Sequence, residues 1–310
     1  MSARPRLLAH ATVVAALGAC AVALSARDVS AVGPRAKCAQ LTRGGVFKNY
    51  VAGRDLHGTV KGDDPFAIVN RTPTGALPDD YAPSDLVAVS TLKPMGAVDC
   101  DKVTCLRREA AEALARMRDA MKTDKHTLVV ESAFRGYDVQ CTVFQQWASI
   151  KGFCEAAQDS ALPGHSQHQL GTAADLFTDA WVRDARGAYR RGFGCSTGGV
   201  WLRENAWKFG FVLAYPPVDG DDACPPPDRD TKPNPKTGYR YEPWHFRFLP
   251  QATADAFHAA QQKAPKLTLE QFLRRKQGLP DDPEPAVCDG CACDACSTLD
   301  AAASPCASKP

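Results

Sequence analysis

The sequence contains no His-Glu-x-x-His, so it offers no pair of imidazoles one turn apart on a single helix. It has no basic run interleaved with aromatic residues, and its net charge is only +2. Both features exclude an electrostatic footprint for nucleic acid, and no nucleic-acid partner is predicted. No internal repeat is visible and no partner protein is evident. Strands and helices do not alternate in a βαβ rhythm, which argues against a parallel sheet. Apolar length is scarce too. The run from Leu7 to Leu24, interrupted by His10, stands behind Arg4 and Arg6 at the start of the chain.

That run reads as an export signal, with a basic start, a short apolar middle and small residues for cleavage at Leu24-Ser25-Ala26 or Val29-Ser30-Ala31. The expected location is periplasmic or extracellular. Leu17-Gly18-Ala19-Cys20 also fits a lipobox, which would make Cys20 a lipid anchor, although the apolar residues beyond it argue mildly against this. Cysteine usage supports export. Of the thirteen cysteines, twelve remain if Cys20 leaves with the signal, an even number suited to disulfides in an oxidising compartment. Cys100 and Cys105 are close enough to pair across a loop, and pairing Cys195 with Cys224 would staple the region between them. A straight helix joining Cys141 to Cys154 would hold them roughly 20 Å apart, beyond any bridge.

With 310 residues, 45% of them hydrophobic, the chain can build a substantial core. Leu106, Ala110, Leu114, Met117 and Met121 recur at helical spacing over 105–122. Thr127 to Glu131 is β-prone, and Val139, Val143, Trp147 and Ile150 return to a helical period. Trp201 to Phe209 reads as a short helix stopped by Gly210, with a strand at Phe211-Val212-Leu213. Residues 216–237, rich in Pro, Asp and Gly, form a long loop. Thr268 and Gln271 make a capping box that opens a last helix to about Lys276. The expected fold is α+β, one antiparallel sheet with packed helices, stapled by disulfides. The expected divisions are an export signal over 1–31, a loose leader over 32–64, the main domain over 65–278, and a linker with a Cys-rich tail over 279–310. In that tail Cys288, Cys291, Cys293, Cys296 and Cys306 suit disulfides in an exported protein, or a small metal knot.

The chemistry is concentrated in two segments. Ser166-Gln167-His168-Gln169-Leu170-Gly171-Thr172-Ala173-Ala174-Asp175 is followed by Glu242-Pro243-Trp244-His245. Two imidazoles and a carboxylate match the ligand inventory of a catalytic zinc, with a position left for water. A spare carboxylate, Glu242, stands three residues before the last imidazole and can serve in proton transfer. Zinc lowers the pKa of its water to about 7, so a nucleophile exists at neutral pH. Gly171, Ala173 and Ala174 allow close backbone packing between the first two ligands, and Pro243 makes the second segment a poor helix interior. His165 competes with His168 for the ligand role, and the motif favours His168.

These segments resemble the Ser-x-His-x-x-Gly-x-Ala-x-Asp and Glu-x-Trp-His motifs of the D-alanyl-D-alanine carboxypeptidases among LAS-type zinc peptidases, a group that includes the vancomycin-resistance D,D-carboxypeptidases. The likeness extends from about 65 to 275, through Leu77-Pro78-Asp79-Asp80-Tyr81, Ser132-Ala133-Phe134-Arg135-Gly136-Tyr137 and Thr237-Gly238-Tyr239-Arg240-Tyr241. It implies His168, Asp175 and His245 as ligands of Zn2+, Glu242 as catalytic base, and Arg135 on the tetrahedral intermediate or the substrate carboxylate. Gln140 and Ser166 match positions that line the substrate site. The implied substrate is a peptidoglycan stem peptide that loses its C-terminal D-Ala. The alternatives are an endopeptidase of peptidoglycan cross-links and a non-catalytic zinc-containing cell-wall domain.

Overall fold

A computed structural model describes residues 58–281 except 73, 94–95, 101, 185–189, 219–223 and 225–231. The expected export signal, Cys20, most of the expected leader and the Cys-rich tail lie outside the described residues. Among the described residues no helix is long and apolar enough to cross a membrane. Residues just ahead of the expected main domain are already tied to it. Val60 N–H donates to Ala76 O at 3.0 Å, and the Tyr81 hydroxyl lies 3.1 Å from Asp63.

The chain begins its regular structure with a two-stranded ribbon, β1 (Leu86–Ala88) antiparallel to β2 (Cys105–Arg107). Cys100 and Cys105 are bridged as expected, with Cα atoms 5.5 Å apart. The first helical stripe becomes α1 (Arg108–Thr123), burying Ala110, Leu114, Met117 and Met121. Helix begins three residues later than its apolar spacing suggested, because Cys105–Arg107 pairs with β1. A second helix, α2 (Tyr137–Lys151), follows strand β3 (Leu128–Ser132). Gly152, at φ 83°, breaks it before the short α3 (Phe153–Ala156). The straight-helix premise that set Cys141 far from Cys154 therefore fails, and Cys141 is itself disulfide-bonded.

The main sheet adds β4 (Ala173–Thr178), β5 (Phe211–Leu213) and β6 (His245–Phe248), in the order β3-β4-β6-β5, all antiparallel. Its expected α+β character holds, and the β1–β2 ribbon is an addition to it. Every residue of β4 and β6 is buried. That pattern hides the period-2 alternation a half-exposed strand would show. Leu114, Met117 and Met121 of α1 pack with Leu176, Phe211, Phe246 and Phe248, each burial stabilising by about 1.5–3 kcal/mol. Side chains alternate across a sheet, so Asp175 and His245, directly opposite one another, project from the face turned away from α1.

Beyond β4 come α4 (Asp179–Asp184) and α5 (Thr197–Asn205), then a 3₁₀ turn over Ala206–Phe209 that ends at Gly210 in the left-handed region. Cys195 and Cys224 form the second expected bridge, with Cα atoms 4.9 Å apart. After β6, α6 (Gln251–Lys263) and α7 (Leu269–Lys276) supply Phe257, Leu269 and Leu273 to a second apolar cluster with Val212, Tyr215 and Tyr239. The Thr268–Gln271 capping box is present.

Glu270, in the first turn of α7, accepts a 2.6 Å hydrogen bond from Asn70 Nδ2. Burial nevertheless lifts its carboxyl from 4.5 to about 7. Between those values the folded protein keeps a proton that the unfolded chain has released. Stability therefore falls as pH rises through this window, by at most about 3 kcal/mol. Glu270→Gln keeps an acceptor for Asn70 and removes the charge. Urea midpoints at about pH 5 and about pH 8 should converge in the variant, and an unchanged pH dependence would disprove the assignment.

Candidate metal centre

Three local devices bring the motif side chains together. The first is a 3₁₀ turn, Gln167–Leu170, capped at its start by the Ser166 hydroxyl, which accepts from His168 N–H at 3.3 Å. Gly171 ends the turn at φ 69°, where a Cβ would lie 2.9 Å from Leu86 Cδ2 and 3.0 Å from Pro83 Cγ. Only glycine passes there without displacing its neighbours. His168 is fixed from behind: its Nδ1–H donates to Ala133 O at 2.6 Å, leaving Nε2 directed at Asp175 Oδ1, 3.4 Å away.

The second device is the sheet. Register sets Asp175 opposite His245 on one side and opposite Ser132 on the other, where a bulge between Val130 and Ser132 re-aims the end of β3. Just beyond it Arg135 donates from Nη1 to Ser132 Oγ at 3.2 Å, and its backbone N–H bonds His168 O at 3.3 Å.

The third is the turn Glu242-Pro243-Trp244-His245, closed by His245 N–H to Glu242 O at 3.1 Å. Proline at the second position presets φ for such a turn. The spacing of three thus puts the spare carboxylate beside the second imidazole. Glu242 Oε2 is 3.9 Å from His245 Nδ1. That same Nδ1 is 3.0 Å from Asp175 Oδ1, while Nε2 lies 3.4 Å from Gln167 Oε1.

One ligand atom each from His168, Asp175 and His245 falls within 4.8 Å of the others, and all three residues are buried. The set fits a zinc ion. Two neutral-capable imidazoles and one carboxylate are a common zinc donor set, and a backbone carbonyl that orients His168 completes the usual outer shell. Burial and then Arg135 hold His168 down to about 4, so it is neutral and ready to coordinate. Glu242 goes the other way. Burial first, then Asp175 and Asp159, push its carboxyl well above the ordinary value, against Arg191 and Arg135.

These groups open on a cavity of about 330 Å³. Arg135, Ser166 and Glu242 line it together with the three ligands, so the structure gathers six of the seven residues singled out by motif. Gln140 is not in the lining. It is buried in α2, where its amide donates to Ala161 O at 2.7 Å and Ser160 Oγ at 3.3 Å, two residues that do line the cavity. His165 is turned elsewhere, with Nδ1 2.7 Å from Asn70 O, and is not part of the ligand cluster. Trp244 both stacks on Phe177, 5.8 Å between ring centroids, and faces the cavity. Sequence reasoning missed Tyr215, whose ring lies 4.8 Å from that of His245, and the cavity residues Lys151, Asp159 and Arg191. Tyr215 lies two residues beyond β5, a strand that was legible. The other three sit in segments with no motif.

Comparison with known proteins agrees with the motifs. A model of the VanY D-alanyl-D-alanine carboxypeptidase family matches residues 103–224. The chain is 32% identical over 209 residues to the putative carboxypeptidase YodJ of Bacillus subtilis, a match covering 67% of each protein. It is 27% identical over 170 residues to a D-alanyl-D-alanine carboxypeptidase of Enterococcus faecium, covering 54% of this chain and 44% of that enzyme. Among solved structures, that of the LdcB LD-carboxypeptidase superposes with a TM-score of 0.50 at 32% identity, over 68% of this chain and 88% of the other.

Proposed function

The chain belongs to the VanY D-alanyl-D-alanine carboxypeptidase family, and from that membership we propose that it is a zinc-dependent hydrolase removing the C-terminal D-Ala of peptidoglycan stem peptides. Its place of action in this reading is outside the cytoplasmic membrane. The disulfides Cys100–Cys105 and Cys195–Cys224 support that location.

One observation carries the chemistry: the three ligand residues border an open cavity that also contains a buried carboxylate 3.9 Å from a ligand nitrogen. A structural zinc site is closed by four protein ligands and needs no such neighbour. When bound, zinc would lower the pKa of a water to about 7 and polarise the scissile carbonyl. Glu242 takes the proton of the attacking water and passes it to the departing amine. Arg135 directs its guanidinium at the same space, where negative charge gathers on the tetrahedral carbon's oxygen.

Arg135→Lys keeps the charge and loses the planar fork. In the oxyanion role it should lower kcat by about 10²–10³ with KM unchanged. A rise in KM alone would assign Arg135 to substrate binding instead.

The activity itself is tested by mass analysis of pentapeptide, tetrapeptide and cross-linked muropeptides incubated with the purified protein. Loss of one alanine from the pentapeptide is the expected result. Likeness to the LdcB LD-carboxypeptidase favours a second reading, in which the tetrapeptide is the substrate. Cleavage of cross-links with both free-ended peptides untouched would overturn the carboxypeptidase reading.

A further inference from the structure

Facing the metal centre, α2 presents Val143, Trp147 and Lys151 to the cavity at successive intervals of four residues, one helical face. The Lys151 ammonium lies 4.7 Å from the Trp147 ring centroid and 2.6 Å from Asp159 Oδ2. Asp159 also accepts from Arg191 Nη2, and from Arg240 Nη1 at 2.9 Å. Three cations thus converge on one carboxylate, and two of them, Lys151 and Arg191, line the cavity. An ammonium carries three donors, and Asp159 engages one of those of Lys151. Holding both cations by a shared anion fixes their positions without hiding them, as their side chains remain 22% and 13% exposed.

The cluster is anchored to the base. Arg191 Nε donates to Tyr241 O at 3.0 Å, one residue before Glu242. Arg240 N–H, two residues before it, donates to Gln158 O at 2.9 Å. Glu242 delivers its proton to the leaving amine, so the departing residue, with its carboxylate, must lie on this side of the cavity. Cations here face a group that ordinary peptide bonds lack.

Building on the carboxypeptidase reading, we propose that Lys151 and Arg191, positioned by Asp159, form the site that takes the substrate's terminal carboxylate, which leaves Arg135 to the oxyanion.

The test compares a pentapeptide with its C-terminal amide, using the full-length zinc enzyme and the variants Lys151→Met and Arg191→Gln. Zinc content and melting temperature are checked in parallel. On the free acid, each variant should raise KM about 10- to 100-fold, the worth of one charge-assisted hydrogen bond, with kcat within about threefold. On the amide, wild type and variants should be alike. Equal losses on acid and amide would make the cluster a mere strut and overturn the proposal. Should Arg191→Gln fail to fold, Lys151→Met decides the matter alone. If no peptide is cleaved, the carboxypeptidase reading falls, and calorimetric binding of N-acetyl-D-Ala-D-Ala and its amide to Glu242→Gln protein tests the anchor separately. The anchor then requires tighter binding of the acid and loss of that preference in the Lys151→Met, Glu242→Gln double variant. Equal binding of acid and amide would refute it.

Discussion

His168→Ala, Asp175→Ala and His245→Ala should each abolish zinc binding at stoichiometric metal and lower turnover by on the order of 10³-fold or more, because three ligands leave no redundancy. The three residues differ in what else they lose. Asp175 sits on an inner strand between β3 and β6, and its carboxylate contacts buried imidazoles on both sides, 3.0 Å from His245 Nδ1 and 3.4 Å from His168 Nε2. Its removal should therefore also weaken the apoprotein's fold. His168→Ala frees the Ala133 carbonyl, a smaller structural loss. His165→Ala is the control. Its zinc content should stay at wild-type level, whereas its melting temperature should fall, because the ring is buried and bonded to Asn70 O. The motif gives His165 no role in the site, and it is burial that makes its removal costly. Metal analysis with thermal melts checks all four. Full zinc occupancy in any ligand variant would break the assignment.

Glu242→Gln should keep zinc and lose about 10²–10⁴ of turnover, the usual contribution of a positioned acid–base group. The substitution preserves the shape of the side chain and the backbone bond that closes the turn, and removes the carboxylate's charge together with its capacity to move a proton. Loss should appear in kcat with KM little changed. If zinc disappears together with activity, Glu242 is a ligand. If turnover survives, another group moves the proton.

How much of this was readable beforehand depended on the physical origin of each signal. The capping box at Thr268 and the strand at Phe211–Leu213 were legible because capping chemistry and a glycine stop act locally. The grouping of His168, Asp175 and His245 was legible because chemistry restricts the residue types of a candidate metal site. β4 was not read as a strand, since Ala173–Thr178 is buried on both faces and carries no alternation. The break at Gly152 escaped because an apolar period ran on through Ile150, with only one glycine to mark the end. The Asp159 cluster was invisible for another reason. Lys151, Arg191 and Arg240 are ordinary surface residues until folding brings them to one carboxylate.

The turn that carries Glu242 and His245 is tied at both ends to the residues just past β5, by Glu242 N–H to Tyr215 O at 3.1 Å and by Ala214 N–H to His245 O at 3.2 Å. Asn234 reinforces it from inside, donating from Nδ2 to Pro217 O at 3.2 Å. Glu242 and His245 are therefore held to one another through the same stretch of backbone. A change that displaces Ala214 or Tyr215 would therefore move the Glu242 carboxylate and the His245 imidazole as a pair and leave their separation intact.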